Sequence, residues 1–95
     1  MSLVKNEQTD YLFKAILSLR DTEECYRFFE DICTMEELKE LSRRMQAAKM
    51  LYNNHIYSSI AAETGLSTAT ISRVSRCMKY GNGGYYTALD RIEKK

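Results

Sequence analysis

Gly65 is the residue that most narrows what this chain can fold into. It stands inside YSSIAAETGLSTATISRVSRCMK, residues 57–79, between two short helical patterns. A glycine there supplies the left-handed conformation that ends one helix and turns the chain into the next. Ile60 and Ala61 precede it, Leu66 follows directly, and Ile71 and Val74 lie further on. This spacing lets two helices pack crosswise, with Ala61 allowing close approach of the backbones and Ile60, Leu66, Ile71 and Val74 filling the wedge. Ser67 is placed to cap the second helix. Residues 57–79 therefore read as a helix-turn-helix.

Counting turns from Ile71, the second helix of this motif turns Thr68, Ala69, Ser72, Arg73 and Arg76 outward. Small hydroxylic side chains beside guanidinium groups suit a helix lying in a major groove. Thr68, Ala69, Thr70 and Ser72 are the expected base-edge contacts. Arg73 and Lys79, with Arg43 from the preceding helix, are expected on phosphates, and Arg76 is a further DNA-binding candidate. An ordinary surface helix would also be amphipathic, but it would not need the glycine, the cap and the apolar wedge in register.

Charge supports the same division. Residues 1–40 carry five Lys or Arg against ten Asp or Glu, a net of −5, and residues 41–95 carry nine against three, a net of +6. The formal total of +1 hides this asymmetry. Nucleic-acid binding needs a basic face rather than a basic whole, and the basic half contains the motif.

The rest of the chain reads as helix. It has no proline, and glycine is confined to Gly65 and the run 81–84. Residues 1–8 lack an apolar pattern and read as a loose arm. Tyr11, Leu12, Ala15, Ile16 and Leu19 mark one helical face. Asp21 and Glu24 form a capping arrangement for a second helix, whose apolar face is Tyr26, Phe28, Phe29, Ile32 and Cys33. Thr34 and Glu37 form a capping box for the longest helix, with Leu38, Leu41, Met45, Ala48, Leu51 and Tyr52 in line, ending at Asn53 and Asn54. After a flexible break at 80–84, a last helix over 84–95 shows Tyr85 or Tyr86, Leu89 and Ile92, with Lys94 and Lys95 at its carboxyl end. This gives an all-α chain of six helices, without strands or repeats. At 95 residues it reads as one domain, 1–95, with a thin core of its own. The acidic, strongly apolar helices within 9–53 call for a partner, and a second copy of the chain is the natural one.

Several function classes fall away. No pair of carboxylates accompanies a histidine and no glycine-rich phosphate loop is present, so the chain does not read as an enzyme. Cys25, Cys33, His55 and Cys77 lack metal-ligand spacing, so neither a metal nor another cofactor is expected. Three cysteines are an odd number, and free buried thiols are the default. His55 reads as solvated loop. No segment reaches the roughly 18 apolar residues of a membrane span and no signal region opens the chain, which places it in the cytoplasm with no membrane partner. The alternative to a DNA-binding regulator is a protein-interaction adaptor within transcription complexes, whose motif docks on a protein. Salt dependence separates the two, because each neutralised phosphate releases counterions.

The residues also carry a resemblance. Thr34, the acidic residues after it, Arg44 and the run Thr70-Ile71-Ser72-Arg73 stand in the order found in the Trp repressor family. Together with CYRFFEDICTMEELKELSRRMQAAKML and ATISRVSRCMKYGNGGY, they make the whole chain resemble the family's branch of small bacterial Trp repressor-related proteins. The resemblance implies a six-helix Trp repressor-like fold and an intertwined homodimer. Its amino-terminal helices would form a shared core, and two helix-turn-helix heads would address successive major grooves of double-stranded DNA. It implies a transcriptional regulator, a repressor by type. In that family the positions matching Thr34, Arg44 and Arg73 help hold tryptophan. Here the glycine that makes room for the indole is Val74, and the opposite wall of the pocket falls near Asp31 and Cys33. The polar handles persist while the cavity is filled. Tryptophan is therefore not the expected effector; a regulator with another effector, or with none, fits better, and Thr34, Arg44 and Arg73 stay open for a small acidic one.

Overall fold

Four of the six helices open on a short polar side chain that takes up a backbone N–H left unpaired by the first turn. Asn6 accepts from the Thr9 amide at 2.9 Å, Asp21 from Glu24 at 2.8 Å, Thr34 from Glu37 at 3.0 Å and Ser67 from Thr70 at 3.1 Å. The Thr34 box is reciprocal, since the Thr34 amide donates to the Glu37 carboxylate at 2.8 Å. The Asp21 cap is not quite so, because Glu24 takes the amide of Arg20, one residue before the cap.

The computed structural model describes residues 4–94. The helices are α1 (Glu7–Leu17), α2 (Thr22–Ile32), α3 (Met35–Tyr52), α4 (Tyr57–Thr64), α5 (Thr68–Tyr80) and α6 (Gly84–Glu93), and no strand occurs among the described residues. Helix α1 starts inside the stretch read as an arm, because Asn6 caps it and makes Glu7 and Gln8 helical. Residues 1–3 of that arm lie outside the described residues, as does Lys95. None of the described helices is long and apolar enough to cross a membrane.

By its internal contacts the chain divides into two compact units, Met1–Leu38 and Lys39–Lys95. In the first unit neither α1 nor α2 has a buried residue. Ala15, Ile16, Leu19, Phe28 and Phe29 are half-buried, while Tyr11, Phe13, Leu17, Tyr26 and Ile32 are between 53 % and 84 % exposed. Cys25 and Cys33 are free and half-buried rather than buried, since this unit has no interior to bury them in.

The second unit holds the core. One cluster joins Ala47 and Met50 of α3 to Ile60 of α4, Leu66 of the turn and Ile71 of α5. A second joins Ala48 to Val74 and Met78 of α5 and Leu89 of α6. Val74 is buried as expected, at 2 % exposure, but its neighbours are Ala48, Met78 and Leu89 rather than Ile60 and Ile71. Three residues on from Ile71, it is turned off the α4 side of the helix. Helix α3 thus has two buried faces, and the expected line from Leu38 to Tyr52 covers one of them. Leu41 on that line is 47 % exposed. In α6 Leu89 is buried and Tyr85 half-buried, whereas Ile92 is 69 % exposed.

Candidate nucleic-acid interface

The geometry of α5 begins in the turn before it. Gly65 adopts φ +75°, the left-handed region, and its amide closes α4 onto the Ala61 carbonyl at 2.9 Å. Buried Thr64 donates its hydroxyl to the Ile60 carbonyl at 2.7 Å and accepts from the Leu66 amide at 3.2 Å. The polar groups of a buried bend are thereby satisfied, which a turn in this position requires. Thr64 was not singled out from the sequence, where it reads as an ordinary helix-end threonine. Ser67 then opens α5, accepting from the Thr70 amide and donating to the Thr70 hydroxyl, both at 3.1 Å.

Ile71, Val74 and Met78 are the buried stripe of α5. At 100° per residue the positions diametrically opposite are Ala69, Arg73, Arg76 and Tyr80, and all four are exposed. Thr68 and Lys79 are exposed on one flank, Cys77 is exposed on the other, and Thr70 and Ser72 are half-buried. An open recess of about 520 Å³ runs along this side, lined by Ala69, Ser72, Arg73, Arg76, Cys77, Tyr80 and Gly81. The recess ends at Gly81, whose amide closes α5 on the Cys77 carbonyl. A side chain at Gly81 would run into that same carbonyl.

Among the described residues Arg73, Arg76, Lys79 and Arg43 enter no ion pair. Arg44 does, its Nε lying 3.5 Å from Glu40. The Arg44 guanidinium also acts on Tyr85 of α6, whose phenol is pushed above its ordinary value by burial and by Cys77, against the lowering effect of Arg44. Arg43, Arg44 and the α5 residues belong to the second unit, and Thr34 caps α3 in the first.

Two residues of the recess, Cys77 and Tyr80, escaped the sequence reading. Cys77 was taken as a buried thiol, but it is exposed, because the buried stripe of α5 passes through Val74 and Met78 on the other side. Tyr80, 83 % exposed, stands eleven residues from Ala69, three helical turns along the same line. Continuing the count from Ala69 would have found it. His55 is exposed, and its ring Nδ1 and backbone amide both lie near the Met50 carbonyl, at 3.1 and 3.0 Å, closing the end of α3. No group of three or more His, Cys, Asp or Glu side chains among the described residues could hold a metal ion.

Comparison with known proteins places this geometry. The sequence profile described as Trp repressor protein matches residues 7–93. YerC of Bacillus subtilis (strain 168), a protein of uncharacterised function, is 52 % identical over 91 residues, covering 96 % of this chain and 88 % of YerC. The crystal structure of a TrpR-like protein from Eubacterium eligens superposes with a TM-score of 0.92 at 49 % identity, covering 96 % of this chain and 94 % of that one. A candidate Trp repressor from Staphylococcus aureus does so with a TM-score of 0.91 at 47 % identity, covering 97 % and 92 %.

Proposed function

The chain belongs to the Trp repressor family, and on that premise we propose that it is a homodimeric, sequence-specific DNA-binding transcriptional regulator, a repressor, that reads the major groove with α5. The family is a regulatory DNA-binding fold and not an enzymatic one. The observation that carries the reading is the outward side of α5, where Ala69, Arg73, Arg76 and Tyr80 stand in one line and neither guanidinium has an anionic partner among the described residues. Charges left free on one face of a helix serve phosphates, and the small residues at its leading end let it approach base edges.

Dimerisation is supported by the first unit. Two amphipathic helices without a buried residue, with Tyr11, Phe13, Leu17, Tyr26 and Ile32 open, present more apolar surface than soluble monomers carry. A second copy covers it and sets two α5 helices on half-sites about 34 Å apart, the spacing general to helix-turn-helix dimers, Trp repressor among them. Tryptophan is not the effector, because Val74 occupies the position where an indole would need space. Arg44 and Arg73, both in the second unit, are left for a small acidic ligand.

Selection of binding sites from random double-stranded DNA tests the reading, followed by fluorescence anisotropy on the selected operator. Affinity is expected to fall steeply with salt, by about 0.9 logarithmic units per logarithmic unit for each phosphate neutralised. Arg73→Ala is expected to weaken binding and reduce that slope by about one phosphate. No enrichment of any sequence, or an affinity indifferent to salt, would point instead to an adaptor that docks on protein.

A further inference from the structure

We propose that α5 reads thymine through its 5-methyl group, with Ala69 as the specificity-determining residue. The inference rests on the DNA-binding reading above and goes beyond it by naming the feature of the base pair that is read. The leading residues of a recognition helix reach base edges, and those further along lie nearer the backbone. In α5 the leading residues are Thr68, Ala69, Thr70, Ile71 and Ser72. Ile71 is fully buried, Thr70 and Ser72 are half-buried, and the Thr70 hydroxyl already accepts from Ser67 inside the cap. Thr68 and Ala69 are the exposed pair, and Ala69 lies on the line opposite the buried stripe.

What is missing from this segment matters as much. From Leu66 to Ser72 no side chain is an amide, a carboxylate or a cation. None can make the paired hydrogen bonds by which Asn or Gln holds adenine and Arg holds guanine. Ala69 instead offers a methyl group on the wall of an open recess that the small Ser72 and the side chains of Arg73 and Arg76 also line. The 5-methyl of thymine is the apolar feature of a major-groove base edge, and a methyl-lined recess is its complement. Arg73 and Arg76 then rest on phosphates, which supply affinity and register without sequence.

The test uses the full chain and an operator obtained by selection. Each thymine is replaced in turn by uracil, which keeps the pairing and removes only the methyl group. Each guanine is replaced by 7-deazaguanine, which removes the N7 acceptor. At one thymine of each half-site the replacement is expected to cost about fourfold in affinity, the worth of one buried methyl group at about 0.8 kcal/mol. Ala69→Gly is expected to bind the thymine and uracil operators equally at that position. This comparison sets one protein against two DNAs, so any loss of helix stability in the variant cancels from the ratio. Equal affinity of the natural chain for thymine and uracil at every position overturns the proposal, as does undiminished discrimination in Ala69→Gly. Losses confined to 7-deazaguanine and abolished by Arg73→Ala or Arg76→Ala overturn it in favour of guanine reading, and leave the DNA-binding reading standing. A chain that selects no operator overturns both.

Discussion

Truncating Val74 tests the reasoning that removes tryptophan from the control of this protein. Val74 is 2 % exposed and packed among Ala48, Met78 and Leu89. Val74→Ala removes two buried carbons, worth about 1.6 kcal/mol of transfer at ~0.8 each. The cavity left behind brings the expected loss to about 2–3 kcal/mol. For a domain of this size that is a fall in melting temperature of roughly 10–20 °C, measured by circular dichroism at one fixed chain concentration, because association makes the melting point concentration-dependent. Val74 is packed among Ala48, Met78 and Leu89, and forcing an indole's volume into a packed site costs about 1–3 kcal/mol. Millimolar L-tryptophan is therefore expected to leave its melting temperature unchanged. The chain contains no tryptophan, so indole emission reports the ligand alone. At 100 times its dissociation constant a ligand stabilises the native state by about 2.7 kcal/mol, which no melting experiment would miss. A rise of several degrees together with a shift in indole emission would refute the argument. So would a loss below about 0.5 kcal/mol in Val74→Ala, since surface positions behave in that way. Val74→Gly opens the site further and is the variant in which a tryptophan response is expected.

Light scattering at micromolar concentration is expected to give twice the chain mass of 11.1 kDa, and Ile32→Glu, harmless on a monomer where that residue is 54 % exposed, to give one chain mass. Gly65→Ala is expected to cost about 1–2 kcal/mol by chemical denaturation, since φ is +75° and nothing lies within 4 Å of the added carbon, while Gly65→Asn should cost less. The Tyr52 hydroxyl donates to Asp90 at 2.7 Å, and this bond raises the Tyr52 value above its ordinary 10.0. The bond's contribution is then fully present below pH 10.0 and lost as pH rises through the raised native value, so denaturant midpoints should fall above pH 10 in the natural chain and less so in Tyr52→Phe.

Apart from the Asn6 cap, which lay in the stretch read as an arm, the caps and turns were legible from the sequence because each is decided within four residues. Asp21, Thr34, Ser67 and Gly65 do in the structure what their local chemistry requires of them. Packing was less legible, because it depends on which neighbours a face meets. A single apolar line along α3 could be counted at spacings of three and four. Its second buried face, Ala47 and Met50, could not, since one alanine and one methionine carry little signal until α4 is laid against them. The same limit misplaced Val74, whose burial follows from the helical period but whose partners follow from where α6 returns. On α5 the outward line was read as far as Arg76 and Lys79. Tyr80 lay beyond it because it was read into the flexible break at 80–84, whereas α5 runs through Tyr80 and closes at Gly81, leaving the ring exposed.

The way α5 is held bears on the sign of any control. Ile71 fixes the helix against α3 and α4, and Val74 and Met78 fix it against α3 and α6, so its orientation within the second unit is set from two sides. A ligand shifts an equilibrium only by its difference in affinity for two states, and a helix packed in this way offers few alternatives. An acidic ligand on Arg73 thus acts chiefly on charge, occupying a guanidinium that DNA would otherwise use for a phosphate. It should weaken DNA binding and lower the salt slope by about one phosphate, as Arg73→Ala does, and it should have no further effect on that variant. A ligand that reset the separation of the two heads would strengthen binding at unchanged slope. Titrating small carboxylic acids into the protein–operator complex at two salt concentrations separates these cases, and tighter binding at constant slope would show that control runs through the dimer instead of through the charge on α5.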